Sequence, residues 1–444
     1  MPLPARELRH FRFPLVLTLA GLIPLAGAIF PVAAPSGNRP PQASASARTA
    51  TVPPVPAAGP LAAPRSLRQL GLPRLQTLAE APPENPQNPA KIALGEKLFF
   101  DPRLSVDGTV ACATCHDPAR AFTDGRATSV GVKGRVGQRN SPTILNALYN
   151  QKQFWDGRSS TLEEQAELPI TNPDEMGQPN LDAGVAAIAG VPEYQKGFQE
   201  AFGKPADATN LPRAIASYER TLASFDSPFD RYIAGDPQAI NDAAKRGWEL
   251  FNTRALCDRC HAAAKRDVTY FSDFSFHNIG IGILRHHVAP LAENAKTLIQ
   301  QGDLPAIDQA AISSDFSVLG RFLVTRDEAD TASFKTPNLR NVLVTAPYFH
   351  DGSQETLWDV LDHYNKGDGL HDPWLDEDIQ PLALSEKDID DLVAFLASLT
   401  SAPYRELGIK ELARQKALSL TSRPQRDTAR AFGPKPPRPL TSEP

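Results

Sequence analysis

Ala111-Cys112-Ala113-Thr114-Cys115-His116 decides the reading of this chain, and Cys257-Asp258-Arg259-Cys260-His261 repeats it. Both are Cys-x-x-Cys-His, the attachment signal for c-type haem. Two thiols three residues apart lie on one helical face and can form thioethers with the two vinyl groups of one porphyrin. The His that follows sits four residues from the first Cys, so its imidazole reaches the iron from the same side. A single Cys-x-x-Cys would leave zinc or a redox dithiol open. Here all four cysteines of the chain fall inside two complete motifs, which makes it a di-haem protein with Cys112, Cys115, Cys257 and Cys260 as attachment points. His116 and His261 are then the proximal iron ligands.

The 444 residues have room for two domains plus extensions, and the motifs begin 145 residues apart, which suits one haem per domain. A hydrophobic share of 41% with 22% charged residues is ordinary globular composition, and a net charge of −5 gives no reason to expect nucleic acid. Arg6, Arg9 and Arg12 precede an almost wholly apolar run from Phe13 to Ala34, with Ala26-Gly27-Ala28 as a plausible cleavage point. That run reads as an export signal or a retained anchor and tether to the membrane, broken by Pro14, Pro24 and Pro31. Export to the periplasm agrees with haem, which bacteria attach outside the cytoplasm.

The expected organisation is a signal or anchor over 1–34 and a Pro/Ala/Ser-rich linker over 35–66. An N-terminal cytochrome c-like domain over 67–236, a C-terminal one over 237–403 and a polar, Pro-rich tail over 404–444 follow. Apolar periodicity predicts helices at 88–100, 141–149, 160–168, 184–202, 211–233, 241–251, 289–315, 355–365 and 385–399. Ser385 and Asp388 form an N-cap pair for the last. The loop Gly125 to Gly137 is too polar for a core. Strand signals are few, so the fold class is all-α.

With these elements placed, residues 90–400 resemble the bacterial di-haem cytochrome c peroxidase and MauG superfamily. The resemblance rests on Leu94 to Ser105, both haem motifs, Arg139-Asn140-Ser141-Pro142-Thr143, Phe154-Trp155-Asp156-Gly157-Arg158, Asn172 to Gly177 and Thr345 to Ser353. It implies two cytochrome c-like α domains, each enclosing one haem c, with a calcium ion between them. It also implies that peroxide is reduced at the first haem, with electrons entering through the second from a small c-type cytochrome or cupredoxin.

The distal sides of the two irons decide the function. No His lies between His116 and His261. Many peroxidases of this superfamily have a distal His in the loop before Arg139, where this chain has Gly131, Lys133 and Gly134; MauG-type members also lack it and leave the first haem open. Met176 is the alternative cap. An open iron needs a proton shuttle for heterolytic O–O cleavage. The resemblance gives that role to Glu175, with Gln165 as polar neighbour and Pro169 shaping the pocket.

In the helix 355–365, Leu357, Val360, Leu361 and Tyr364 form one apolar stripe, with His363 expected toward solvent alongside Asp359 and Thr356. The resemblance makes Tyr364 the distal ligand of the second haem, as in MauG; the chain has no Met in this half. A phenolate there lowers the potential, where Met raises it. The resemblance also makes Trp155 a relay between the haems. Asn140, with the backbone carbonyls of Thr345 and Pro347, would hold calcium. MauG carries a surface Trp two residues before its second motif, where this chain has Ala255. The expectation is a peroxidase, with a MauG-like oxidase of a partner's Trp or Tyr and a non-catalytic electron carrier as the alternatives.

Overall fold

The computed structural model describes residues 81–233, 235–262, 264–265, 268–283, 288–301, 314–367 and 373–430. The expected signal or anchor, the linker, His286, His287 and His371 lie outside the described residues. Thirteen helical segments are named here. They are α1 Pro89–Phe99, α2 Cys112–Cys115, α3 Leu162–Thr171, α4 Leu181–Ala189, α5 Pro192–Phe202, α6 Asn210–Glu219 and α7 Pro228–Ile233. Then come α8 Asp242–Phe251, α9 Val288–Gln300, α10 Phe322–Thr325, α11 Leu357–Lys366, α12 Glu386–Ala397 and α13 Arg405–Arg430. Among the described residues, strand is limited to two antiparallel pairs of two-residue strands, β1 Ala264–Lys265 with β2 Val268–Thr269, and β3 Phe276–His277 with β4 Phe334–Lys335. The chain is helical, as expected. No helix among the described residues is long and apolar enough to cross a membrane.

Two helix crossings organise the cores, and glycine permits both. At Gly95 on α1 a Cβ would lie 1.9 Å from the Ala214 carbonyl oxygen of α6, and at Gly247 on α8 one would lie 1.9 Å from the Asp391 carbonyl oxygen of α12. Only a residue without a side chain lets the backbones approach so closely. Around the first crossing lies a hydrophobic cluster drawn from Leu94 to Leu222, joined by Val344 and Tyr404. Around the second lies a cluster from Phe229 to Leu399, with Trp248, Phe251, Phe271 and Phe395 packed ring against ring. Each of these aromatic pairs adds about 0.5–1.5 kcal/mol beyond the area it buries.

Several segments differ from the sequence reading. Residues 141–149 hold only a single 3-10 turn at Ala147–Tyr149, because Asn146 is left-handed (φ 65°) and ties its amide to the backbone of Ser224. The 184–202 stretch is two helices, broken at Gly190 and restarted by Pro192. The 211–233 stretch likewise breaks where Asp226 turns left-handed ahead of Pro228. The 289–315 stretch is helical only over α9 among its described residues. The polar tail is helical over α13, Arg405–Arg430. Its Gln415 is fully buried, bonding the Leu343 carbonyl, the Tyr348 hydroxyl and the Leu357 amide. The Ser385–Asp388 capping box forms as predicted.

Candidate functional site

A cavity of about 400 Å³ runs through the described structure, and both Cys-x-x-Cys-His motifs open onto it. The first motif is a helical turn, with the His116 amide donating to the Cys112 carbonyl at 3.0 Å; the second is a 3-10 turn, with His261 donating to Cys257 at 2.8 Å. Burial pushes the Cys115 and Cys257 thiols up to about 12, and Cys112 higher still. These are neutral, enclosed sulfurs.

The two histidines are held alike. His116 Nδ1 lies 3.1 Å from the Phe122 carbonyl oxygen, and His261 Nδ1 lies 3.1 Å from that of Phe271. Nδ1–H therefore donates, and the lone pair of Nε2 is left for a metal. Burial lowers both pKa values, favouring the neutral ring that a ligand must be. Both carbonyls belong to a Phe in left-handed conformation, Phe122 at φ 59° and Phe271 at φ 60°. For a bulky residue that conformation costs on the order of 1–3 kcal/mol, strain of a kind that gathers at functional sites.

On the His116 side, Glu175, Gln165 and Pro169 line the cavity. Glu175 Oε1 accepts a 2.7 Å hydrogen bond from Asn172 Nδ2. Burial raises its pKa, against the opposing pull of Arg158. The 125–137 loop closes over this acid: the Val132 amide donates to the Glu175 carbonyl at 2.8 Å. A Cβ at Gly131 would stand 2.1 Å from the Asp174 carbonyl oxygen, so no side chain fits there. Met176 is 2% exposed and packs in the first hydrophobic cluster, away from the cavity.

On the His261 side, Tyr364 lines the cavity with Leu357, Val360, Leu361, Leu392 and Leu396. Burial pushes its phenol up, and its hydroxyl bonds to no described residue. His363, expected in solvent, is half-buried and its Nε2 meets the Ile279 carbonyl oxygen at 2.8 Å. His277 stands nearby between Asp273 at 2.9 Å and Asp376 at 2.5 Å. Those two carboxylates push it up to about 12, a fixed imidazolium.

Between the halves, Trp155 donates from Nε1 to the Asn140 carbonyl at 2.9 Å and accepts from the Lys335 amide at 2.7 Å. Asn140, Thr345 and Pro347, the expected calcium ligands, all line the same cavity. Among the described residues no cluster of His, Cys, Asp and Glu is suited to a metal ion, so a cation here would depend on amide and carbonyl oxygens.

The cavity wall also carries cations to which sequence reading gave no role, Lys335 and, inside its motifs, Arg139 and Arg158. Arg139 and Arg158 share buried Asp156, at 2.6 and 3.0 Å, leaving one positive charge over. Arg139 Nε is buried without a hydrogen-bond partner. Lys335 makes no ion pair with any described residue, and burial brings its pKa down to about 8. Unpaired buried cations are costly unless an anion meets them. The propionate carboxylates of haem are such anions, so the residues present fit the group that the motifs imply.

The comparisons agree. Residues 89–238 match the family model described as di-haem cytochrome c peroxidase. The chain is 40% identical over 324 residues to the methylamine utilization protein MauG of Methylorubrum extorquens, covering 72% of this chain and 81% of that one. It is 36% identical over 335 residues to the cytochrome c peroxidase Ccp of Escherichia coli, covering 75% and 63%. Among solved structures, a MauG-like protein associated with microbial copper homeostasis superposes with a TM-score of 0.61 at 31% identity, over 74% of this chain and 95% of that one. With its two haem motifs opening onto one cavity, the chain belongs to the di-haem cytochrome c peroxidase family, the family that includes MauG.

Proposed function

We propose that this protein is an exported di-haem peroxidase of MauG type, which reduces hydrogen peroxide with electrons from a periplasmic donor protein. Two covalent haems, one per cytochrome c-like half, would supply the redox chemistry. Cys112, Cys115 and His116 would hold the first, and Cys257, Cys260, His261 and Tyr364 the second. Arg139, Arg158 and Lys335 would meet their propionates, and oxygens of Asn140, Thr345 and Pro347 would hold calcium.

The observation that carries the reading is Glu175, an enclosed carboxyl lining the His116 chamber, with Met176, the expected alternative cap, turned away from it. Met176 is packed in the core, and Gly131 leaves no room for a ligand in the loop. Reducing one peroxide to two waters takes two electrons and two protons. Glu175, its pKa raised by burial, would take a proton from one oxygen of the peroxide and return it to the other as the O–O bond breaks. Asn172 holds the carboxyl in place, Gln165 offers a polar contact, and Pro169 and the 125–137 loop limit water. Trp155, hydrogen-bonded to both Asn140 and Lys335, would relay electrons between the chambers.

Ala255, buried at the cavity wall where MauG has a surface Trp, disfavours oxidation of a partner protein by that route. Low-temperature EPR of the ferric protein tests the reading: one high-spin and one low-spin haem are expected. Two low-spin haems would mean a capped first iron and favour an electron carrier.

A further inference from the structure

Glu219 ends α6 on the cavity wall and is 4% exposed, yet the mechanism above does not use it. Its Oε2 is buried without a hydrogen-bond partner, and so is Nη1 of the adjacent Arg220. Buried polar atoms left without a partner, such as these two, are the kind that a bound water satisfies.

Behind Arg220 a chain of polar contacts leads outward. Arg220 Nη2 binds Glu163 Oε2 at 2.6 Å, and Glu163 Oε1 accepts from Asn85 Nδ2 at 2.7 Å. Asn85 Oδ1 in turn receives Lys91 Nζ at 3.0 Å. The Glu163 side chain is 17% exposed, so the chain reaches solvent.

The charged and titratable groups around Glu219 are Arg220, Glu163 on α3, Tyr218 on its own helix and Cys112 of the first motif. Burial outweighs the pull of Arg220, and Glu163 adds to it, so the Glu219 pKa rises to about 8. It holds a proton at neutral pH. Cys112 feels both Glu219 and Glu175, which places the two acids around the same haem attachment point.

We propose that Glu219 is a relay residue, passing protons that solvent water delivers along the surface-linked Glu163–Arg220 pair into the His116 chamber, to replace those consumed by peroxide. The proposal rests on the peroxidase reading. Each turnover draws two protons from solvent, and Glu219 gives up its proton inward and is reprotonated from the Arg220 side, with no net change in its own state.

The test uses the haem-loaded protein in two measurements. In the infrared, the wild type should display a protonated-carboxyl band that shifts in D2O, is lost in Glu219→Gln and persists in Glu175→Gln. In steady state, Glu219→Gln should slow peroxide reduction by about tenfold, less than the ~10²–10⁴ expected for the acid on the reacting oxygens. It should also remove the decline in rate as pH rises through about 8. Glu219→Asp should restore part of the rate. Glu163→Gln removes a charge that adds to burial in raising the Glu219 pKa and cuts the link to the surface, so it should move that decline to lower pH and also slow the rate. An unchanged rate and pH profile in Glu219→Gln would overturn the relay, as would a band that survives in it. A wild type without turnover would sink the peroxidase reading instead, and the band would still report the state of Glu219.

Discussion

The two haem-attachment sites share their near sides and differ on their far sides. In both, the Cys-x-x-Cys stretch forms a helical turn, and the imidazole is fixed by a carbonyl of a left-handed Phe. In both, two helices cross at a glycine behind the site. Across the cavity the resemblance ends. The His116 chamber carries carboxyls that burial keeps protonated more readily than usual, Glu175 and Glu219. The His261 chamber carries a phenol in an apolar wall and a fixed imidazolium. One scaffold therefore presents the same near side twice, and under the proposed function the distal residues would give one site proton-coupled chemistry and the other the storage of charge.

The sharpest way to break that division is Glu175→Gln. It keeps the shape and removes the proton carrier, so peroxide turnover should drop by ~10²–10⁴ with both haems still attached. In the wild type the rate should fall on acidification through a pKa above the ordinary 4.5, because burial raises that of Glu175. The variant should lose that acid limb. Stopped-flow turnover from pH 4 to 9 reads both, and an unimpaired variant would mean the two chambers are not chemically distinct.

Next in size is Tyr364→Met, which gives the second site the ligand of an electron-accepting haem. Its reduction potential should rise by tenths of a volt, within the ~0.8 V that axial ligands span. Potentiometry followed at the Soret band measures it; an unmoved potential would remove Tyr364 from the iron. Lys335→Met acts between the chambers. At an effective dielectric of ~20, a unit charge lost at a separation of ~10 Å is worth ~1.7 kcal/mol, roughly 70 mV. One or both potentials should move down by that order, and no shift would place the propionates elsewhere.

What the sequence displays of this molecule is what short-range chemistry controls. The motif spacing, the α1 and α8 helices, the Ser385–Asp388 cap and the apolar stripe carrying Tyr364 are all local patterns. The misread segments are governed by distant partners. Asn146 leaves its helix for Ser224, His363 turns inward for the Ile279 carbonyl, and α13 is stabilised by Gln415 reaching three separate backbone and side-chain groups. Glu219 did leave a trace: it follows Leu211 and Ile215 at fourth-residue spacing, an acid in an apolar stripe. Local patterning marks that position as odd but cannot say what it faces.

The smallest expected effect is also the one that most directly separates an enzyme from a carrier. Met176 follows Glu175 immediately, and the chain sends the two side chains opposite ways. The Val132 amide binds the Glu175 carbonyl, while the Met176 amide and carbonyl are held by Pro169 and Val106 at 3.1 and 2.8 Å. That anchoring turns the thioether into the core and the carboxyl into the cavity. Leu fills nearly the same volume, so Met176→Leu should cost less than about 1.5 kcal/mol in denaturant unfolding. It should leave the high-spin signal, the Soret band and peroxide turnover unchanged. A haem that passes from low to high spin in this variant would show the sulfur on the iron. The His116 chamber would then be closed in the resting protein and its contrast with the His261 chamber lost.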